Sequence, residues 1–337
     1  MPTLTRIRPT SALPGGEIEL YGLELDPPLF AAIAGVPAQV TLSRPSRAIV
    51  RVPEGALPGE LVVSRRGAMS NALPVRVGVA MAENLNPVAN PAVDAVGNLY
   101  TTLSGSRGQE TPVSIFKIIP APEGVVPELQ PFVRGILNAT GLAFGPDGFL
   151  YVSSRAEGTI YRVDAQGDAV VFAEGLGIAT GLAFDQAGDL YVGDRSGTIF
   201  KVPAGRDGGS ANTFVFATLE PSIAAYHLAF DSKGTLYVTG PTTASNQTIQ
   251  AIDRKGNATI FFRGLGRAQG LTFDHHDNLL VAASLQGDRG IVRITPFAEA
   301  SLLVAGSNII GLCLLDEQHA ALTTRDAVFL VEIQPAI

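Results

Sequence analysis

Only one of the 337 residues, Cys313, is a cysteine, which rules out an intramolecular disulfide or a cysteine-rich metal site. Histidine is rare at four residues, and lysine is confined to Lys117, Lys201, Lys233 and Lys255. Charged residues make up 16% and hydrophobic ones 46%, too apolar for a disordered chain and enough to build a core. No apolar run reaches the ~18–20 residues that cross a bilayer. The longest, 302–315, is broken by Gly306, Ser307, Asn308 and Gly311. Membrane insertion is therefore not expected. Met1-Pro2-Thr3-Leu4-Thr5-Arg6 has no basic segment leading into a long apolar one, so no signal peptide is expected in this chain.

The formal charge of −7 is unevenly spread. Residues 1–78 carry eight arginines against six acids, whereas 79–337 carry sixteen basic and twenty-five acidic residues. An acidic larger part excludes a nucleic-acid partner. Glycine (37) and proline (23) are abundant without any collagen period, which means many turns.

A repeat dominates the larger part. Thr140-Gly-Leu-Ala-Phe-Gly-Pro-Asp-Gly-Phe-Leu-Tyr-Val returns as Thr180-Gly-Leu-Ala-Phe-Asp-Gln-Ala-Gly-Asp-Leu-Tyr-Val and as Tyr226-His-Leu-Ala-Phe-Asp-Ser-Lys-Gly-Thr-Leu-Tyr-Val. Further copies start near Gln269, Ala89 and Ile310. Val93, Phe144, Phe184, Phe230, Phe273 and Leu314 are equivalent, a spacing of about 44 residues that suits propeller blades. Each unit holds four short apolar runs between turn residues, for example 181–185, 190–194, 198–203 and 213–219, and no helical stripe is sustained. One unit is one four-stranded sheet, which must stack on its neighbours to bury both faces. The last unit has only three strands of its own. Residues 77–86 supply the fourth, pairing with the C-terminal strands and closing the ring. The expectation is a six-bladed β-propeller over 79–337.

Residues 1–78 lack the repeat and alternate short strands (17–21, 38–42, 48–52, 59–64, 74–77) with turns, the pattern of a small antiparallel sandwich. Pro9-Thr10-Ser11, Gly15-Gly16, Gly22, Val52-Pro53, Gly59 and Ser70-Asn71 resemble the marks of IPT/TIG modules, which are immunoglobulin-like. Such modules are mostly spacers or contact domains. The repeat resembles NHL repeats and the SMP-30/gluconolactonase six-bladed propellers, a resemblance that covers 79–337. The overall expectation is thus an all-β bacterial protein, an immunoglobulin-like sandwich followed by a propeller. Relatives by resemblance belong to the cell envelope or are secreted, and the compartment stays open.

Resemblance to gluconolactonases implies a divalent metal on the axis, held by Glu and Asn/Asp side chains just before the glycine of each repeat. Here those positions are Ala89, Thr140, Thr180, Tyr226, Gln269 and Ile310, with no carboxylate among them. Tight binding of Ca2+ is not expected from such donors. Asn90 or Asn138 reaches inward only if a strand shifts register. No metal, cofactor or catalytic residue is expected.

First strands begin and second strands end at the same mouth. The second-strand ends carry Arg155, Asp194-Arg195 and Arg325, which with Thr140, Thr180, Tyr226, His227 and Gln269 form a polar bowl with positive charge. Each arginine either braces a loop against a neighbouring Asp or meets a carboxylate, phosphate or peptide carbonyl. His275, His276 and His319 fall in turns away from the mouth, and His227 has no Ser or Cys partner for nucleophilic catalysis. The leading expectation is a non-enzymatic scaffold whose mouth binds a peptide, a glycan or a small anionic molecule. The alternative is a gluconolactonase-like hydrolase of lactones or esters with a rearranged, degenerate or metal-free site, the only reading under which a divalent cation such as Ca2+ enters.

Overall fold

The computed structural model describes residues 1–106, 108–122, 124–203, 213–242 and 247–333, in which every regular element is a β-strand. The repeat folds as expected from its turns. Asp185 Oδ1 accepts the backbone N–H groups of Ala187 and Asp189, both at 2.9 Å, and the Tyr191 hydroxyl lies 3.3 Å from Oδ2. Asp94, Asp231 and Asp274 close the same turn in other copies. A carboxylate that accepts two local N–H groups fixes a hairpin corner, which is why an Asp follows Val93, Phe184, Phe230 and Phe273 at the end of the inner strand.

Four-stranded antiparallel meanders follow. One comprises Ala92–Val93, Leu99–Thr102, Ile115–Ile119 and Glu128–Val133, and the next Ala139–Phe144, Leu150–Ser154, Thr159–Val163 and Ala169–Ala173. A third comprises Ala179–Phe184, Leu190–Asp194, Thr198–Val202 and Phe214–Thr218. Two more, starting at His227–Phe230 and Leu271–Phe273, are joined by pairing of Leu265 with Leu285, because the strand Ala258–Gly266 runs long. The last sheet consists of Gly311–Leu314, His319–Thr323 and Val328–Glu332, with Val79–Ala82 antiparallel to Val328–Glu332. The expected strand at 77–86 is therefore Val79–Ala82, in register Val79 to Leu330. The arrangement is propeller-like.

Packing between meanders repeats as faithfully as the turns. Tyr151 sits edge-on between Phe172 of its own sheet and Phe184 of the following one, at centroid distances of 4.8 and 4.9 Å. Tyr100, Tyr191 and Tyr237 make equivalent pairs with Phe132 and Phe144, Phe216 and Phe230, and Phe261 and Phe273. Each tyrosine thus buries a ring between two sheets while its hydroxyl end stays near the Asp turn, which suits an amphipathic aromatic. Where the aromatics lapse, aliphatic packing takes over: Met81, Ala82, Leu85, Leu99, Ile118, Ala321 and Val328 form one cluster that unites the last sheet with the first.

Inner strands approach so closely that a side chain is excluded. A Cβ on Gly141 would lie 2.1 Å from the Thr180 carbonyl oxygen, and one on Gly181 would lie 2.4 Å from that of Tyr226. The repeat glycine is therefore a packing requirement.

Nine N-terminal strands build two sheets around one core. In one, Thr3–Arg8 pairs with Glu17–Leu23, which pairs with Arg47–Arg51, which pairs with the later part of Val36–Arg44; in the other, the first residues of Val36–Arg44 pair with Phe30–Ile33, which pairs with Gly59–Arg65, which pairs with Leu73–Val77. Ile18, Leu20, Ile33, Val50, Leu61 and Val63 alternate inward along these strands and are fully buried. The short strand Ser11–Ala12 lies parallel to Arg76–Val77 on one side and pairs with Val304 and Ala305 on the other. Leu13 follows it into the core formed by Leu280, Ile291, Val304 and Leu322. The N-terminal sheets are thereby hydrogen-bonded and packed onto the repeat region.

Candidate functional site

The inner strands of two meanders carry an extra residue. Ala139 pairs with Ser154 and Leu142 with Val152, so Thr140 and Gly141 together face Ser153; Thr180 and Gly181 do the same opposite Gly193. Such a bulge re-aims the side chain. In the next meander the bulge is missing and His227 pairs directly with Thr239. An imidazole thus occupies the position held by glycine in the neighbouring copies.

These strands surround a cavity of ≈ 310 Å³ lined by Thr140, Arg155, Thr180, Arg195, His227 and Gln269, with Val88, Ile223, Ala224, Ala225, Pro241 and Ile310 as apolar wall. The threonine hydroxyls are committed to the fold: Thr140 Oγ1 donates to the Asn138 carbonyl at 2.9 Å, and Thr180 Oγ1 donates to that of Gly193 at 2.9 Å while accepting the Tyr226 N–H at 3.0 Å. Arg155 donates to the Ser104 hydroxyl and the Gly105 carbonyl at 3.4 and 3.3 Å, and Arg195 to the Ile223 carbonyl at 2.8 Å. Both arginines brace loops, through carbonyls and a hydroxyl. The buried Nε of Arg195 has no hydrogen-bond partner among the described residues. His227 is buried, and desolvation pushes its pKa down to about 4, so the ring is neutral at neutral pH.

Val88, Gln269 and Ile310 also line an adjoining cavity of ≈ 610 Å³ that contains Arg267, Arg289 and Arg325. Among the described residues no carboxylate lines either cavity. Arg195, Arg267, Arg289 and Arg325 form no salt bridge among the described residues.

The other three expected mouth residues do not line the axial cavity. Arg325 belongs to the adjoining cavity. Tyr226 packs its ring over Gly193 and Gly240, donates its hydroxyl to the Glu220 carbonyl and lines a separate cavity of ≈ 230 Å³. The reason is the register change: without the bulge, residue 227 takes the inward place. Asp194 is buried and does not pair with Arg195; its carboxylate accepts the Ile178 N–H at 2.7 Å and the Ser196 hydroxyl, closing the loop before the inner strand.

A divalent cation does not fit these donors. Asn90 is spent on the Leu271 carbonyl (2.9 Å) and the Leu312 N–H (3.1 Å), and Asn138 on the loop at Gly105, Ser106 and Gly108. With two arginines and no carboxylate on the lining, the charge at the cavity has the wrong sign for Ca2+ or Mg2+.

Arg267 and Arg289 lie outside the repeated motif read from the sequence: Arg267 follows the strand Ala258–Gly266, and Arg289 stands at the start of the strand Asp288–Ile294. A signal existed for Arg267, which lies two residues before Gln269 in the same stretch as the other inner-strand starts. Also missed was a set of hydroxyl staples: Ser153, Thr239 and Thr323 each donate to the inner strand of the following sheet, at Thr180, Gln269 and Ala89 respectively.

No protein-family model matches the chain, and no curated protein matches it in sequence. Solved structures do resemble it. An auxiliary nutrient binding protein from Bacteroides thetaiotaomicron VPI-5482 aligns over 98% of both chains at 11% identity with a TM-score of 0.56. A gluconolactonase from Xanthomonas campestris aligns over 76% of this chain and 89% of its own at 14% identity and a TM-score of 0.56. A virginiamycin B lyase from Staphylococcus aureus aligns over 76% of this chain and 97% of its own at 14% identity and a TM-score of 0.53. The class is thus a β-propeller of gluconolactonase-like fold, and at such identities the likeness is one of fold alone.

Proposed function

We propose that this chain is a non-enzymatic binding protein that captures an anionic ligand at the propeller mouth. In this reading the meanders are the blades of a six-bladed, NHL-type propeller over 79–337, and residues 1–78 are an immunoglobulin-like module of IPT/TIG type. The observation that carries the reading is the lining of the two joined cavities, which among the described residues present five arginines and no acid in an otherwise acidic region. Arginine's planar fork matches a carboxylate or phosphate, and a half-buried cavity strengthens the pairing. Arg195 Nε gains an acceptor when a ligand oxygen arrives, which removes the cost of leaving a buried donor unmet. His227, Gln269 and the carbonyl-braced Arg155 complete the wall. The solved auxiliary nutrient binding protein supports a binding role by its fold over the whole chain length.

Calorimetric titration with glucuronate, gluconate, citrate, phosphate and neutral glucose tests this. One or more of the anions binds, glucose does not, and Arg195→Ala weakens binding by roughly 10- to 100-fold, the value of a charge-assisted hydrogen bond. Equal binding of glucose and glucuronate overturns the reading. One observation favours the second reading, a gluconolactonase-like hydrolase: His227 is a neutral base inside the cavity. Lactone and ester hydrolysis that survives EDTA and disappears in His227→Gln would establish it.

A further inference from the structure

Resting on that reading, we infer that the anion cavity is one end of a longer groove that runs onto the N-terminal sheets and takes a linear oligosaccharide bearing carboxylate groups. The groove is continuous in its lining. Val88, Gln269 and Ile310 link the axial cavity to the one beside it, and Arg289 and Gly306 link that one to a third cavity of ≈ 510 Å³. The far wall of the third cavity consists of Gly15, Gly16, Glu17 and Arg51.

That wall is fixed in place. Leu13 N–H donates to the Ala305 carbonyl at 2.8 Å, and a Cβ on Gly16 would lie 2.6 Å from the same oxygen. A groove built across such a joint is preorganised, which lowers the cost of binding a long ligand. In the middle stretch Arg267 and Asn308 hold left-handed backbone, φ 47° and 59°, conformations that non-glycine residues retain where the surroundings impose them.

The chemistry changes along the groove. Its middle alternates guanidinium groups with the amides of Asn86 and Asn308 and the hydroxyl of Ser284. Such a set meets carboxylates and sugar hydroxyls in turn. At the N-terminal end the sign is mixed: Glu17 pairs with Arg51 at 2.8 Å, and Asp288 lies beside Arg289. Carboxylates there accept from the hydroxyl donors that a sugar carries on every ring and an acidic peptide does not. This favours an acidic glycan over an acidic peptide.

Calorimetry on the full chain would compare galacturonate, its oligomers up to the hexasaccharide, a neutral xylohexaose and polyglutamate of matched length. Affinity is expected to rise about tenfold or more from monomer to hexasaccharide as further arginine contacts form. Arg51→Ala and Arg289→Ala, both at exposed positions, should collapse the hexasaccharide-to-monomer ratio, with Arg289→Lys intermediate. Unchanged melting of the variants would show that they fold. Binding of galacturonate without any gain in length overturns the groove and leaves the anion cavity standing. Failure of every acid to bind overturns both. Polyglutamate or xylohexaose binding as tightly as the acidic hexasaccharide overturns the glycan assignment.

Discussion

His227 offers a stability test that needs no ligand. Its imidazole is buried at the cavity wall, with Arg155 and Arg195 on the same lining, and desolvation alone sets its pKa near 4, against 6.5 in an unfolded chain. Between those values the unfolded chain holds the extra proton and the native one does not, so stability rises with pH across this window and is lost on acidification. The gap from 6.5 to about 4, at 1.36 kcal/mol per pKa unit, corresponds to about 3 kcal/mol. Other groups act differently. Glu19 and Asp94 have lowered pKa values and withdraw their contributions only below the carboxylate range, while Asp288, raised by burial and by Glu19, works in the opposite sense. Subtraction isolates the histidine. Urea unfolding of the native chain and of His227→Gln, at several pH values from about 7 to about 4, should give a stability difference that narrows or reverses on acidification by about 3 kcal/mol. If the two proteins lose stability in parallel, the neutral buried imidazole is refuted.

Two substitutions probe the architecture. Gly181→Ala places a methyl group 2.4 Å from the Tyr226 carbonyl oxygen, where only backbone can yield; a loss of about 1–3 kcal/mol is expected in thermal unfolding, and an unchanged midpoint would deny the close approach. Leu13→Ala removes a side chain that is 1% exposed from a core of propeller residues, so it should cost about 2–5 kcal/mol and destabilise the repeat region itself. Loosening confined to the N-terminal strands would contradict that packing.

Much of the fold was legible because local chemistry repeats. The Phe-Asp turn, the Tyr between two phenylalanines and the inner-strand glycine each have a short-range cause, and together they announce stacked meanders. The missing fourth strand of the last copy pointed to the segment that holds Val79–Ala82 for the same reason: a three-stranded sheet leaves an unpaired edge. The site was less legible. Thr140, Arg155, Thr180, Arg195, His227 and Gln269 converge on one cavity, yet Tyr226 and Asp194 do not, since a single absent bulge exchanges two neighbours and the buried Asp194 carboxylate takes local N–H and O–H donors while Arg195 turns to the Ile223 carbonyl. Arg267 and Arg289 come from a loop and from the start of a third strand, both outside the repeated motif.

By itself the sequence determined strands, turns and the order of sheets, which depend on neighbours a few residues apart. Only tertiary structure decided that Ser11–Ala12 would lie between Arg76–Val77 and Val304–Ala305, and that arginines distant in sequence would share cavities on which no described residue is a carboxylate. Those contacts span most of the chain length, and no local pattern encodes them, because their energy is gained only once the sheets have closed around one another.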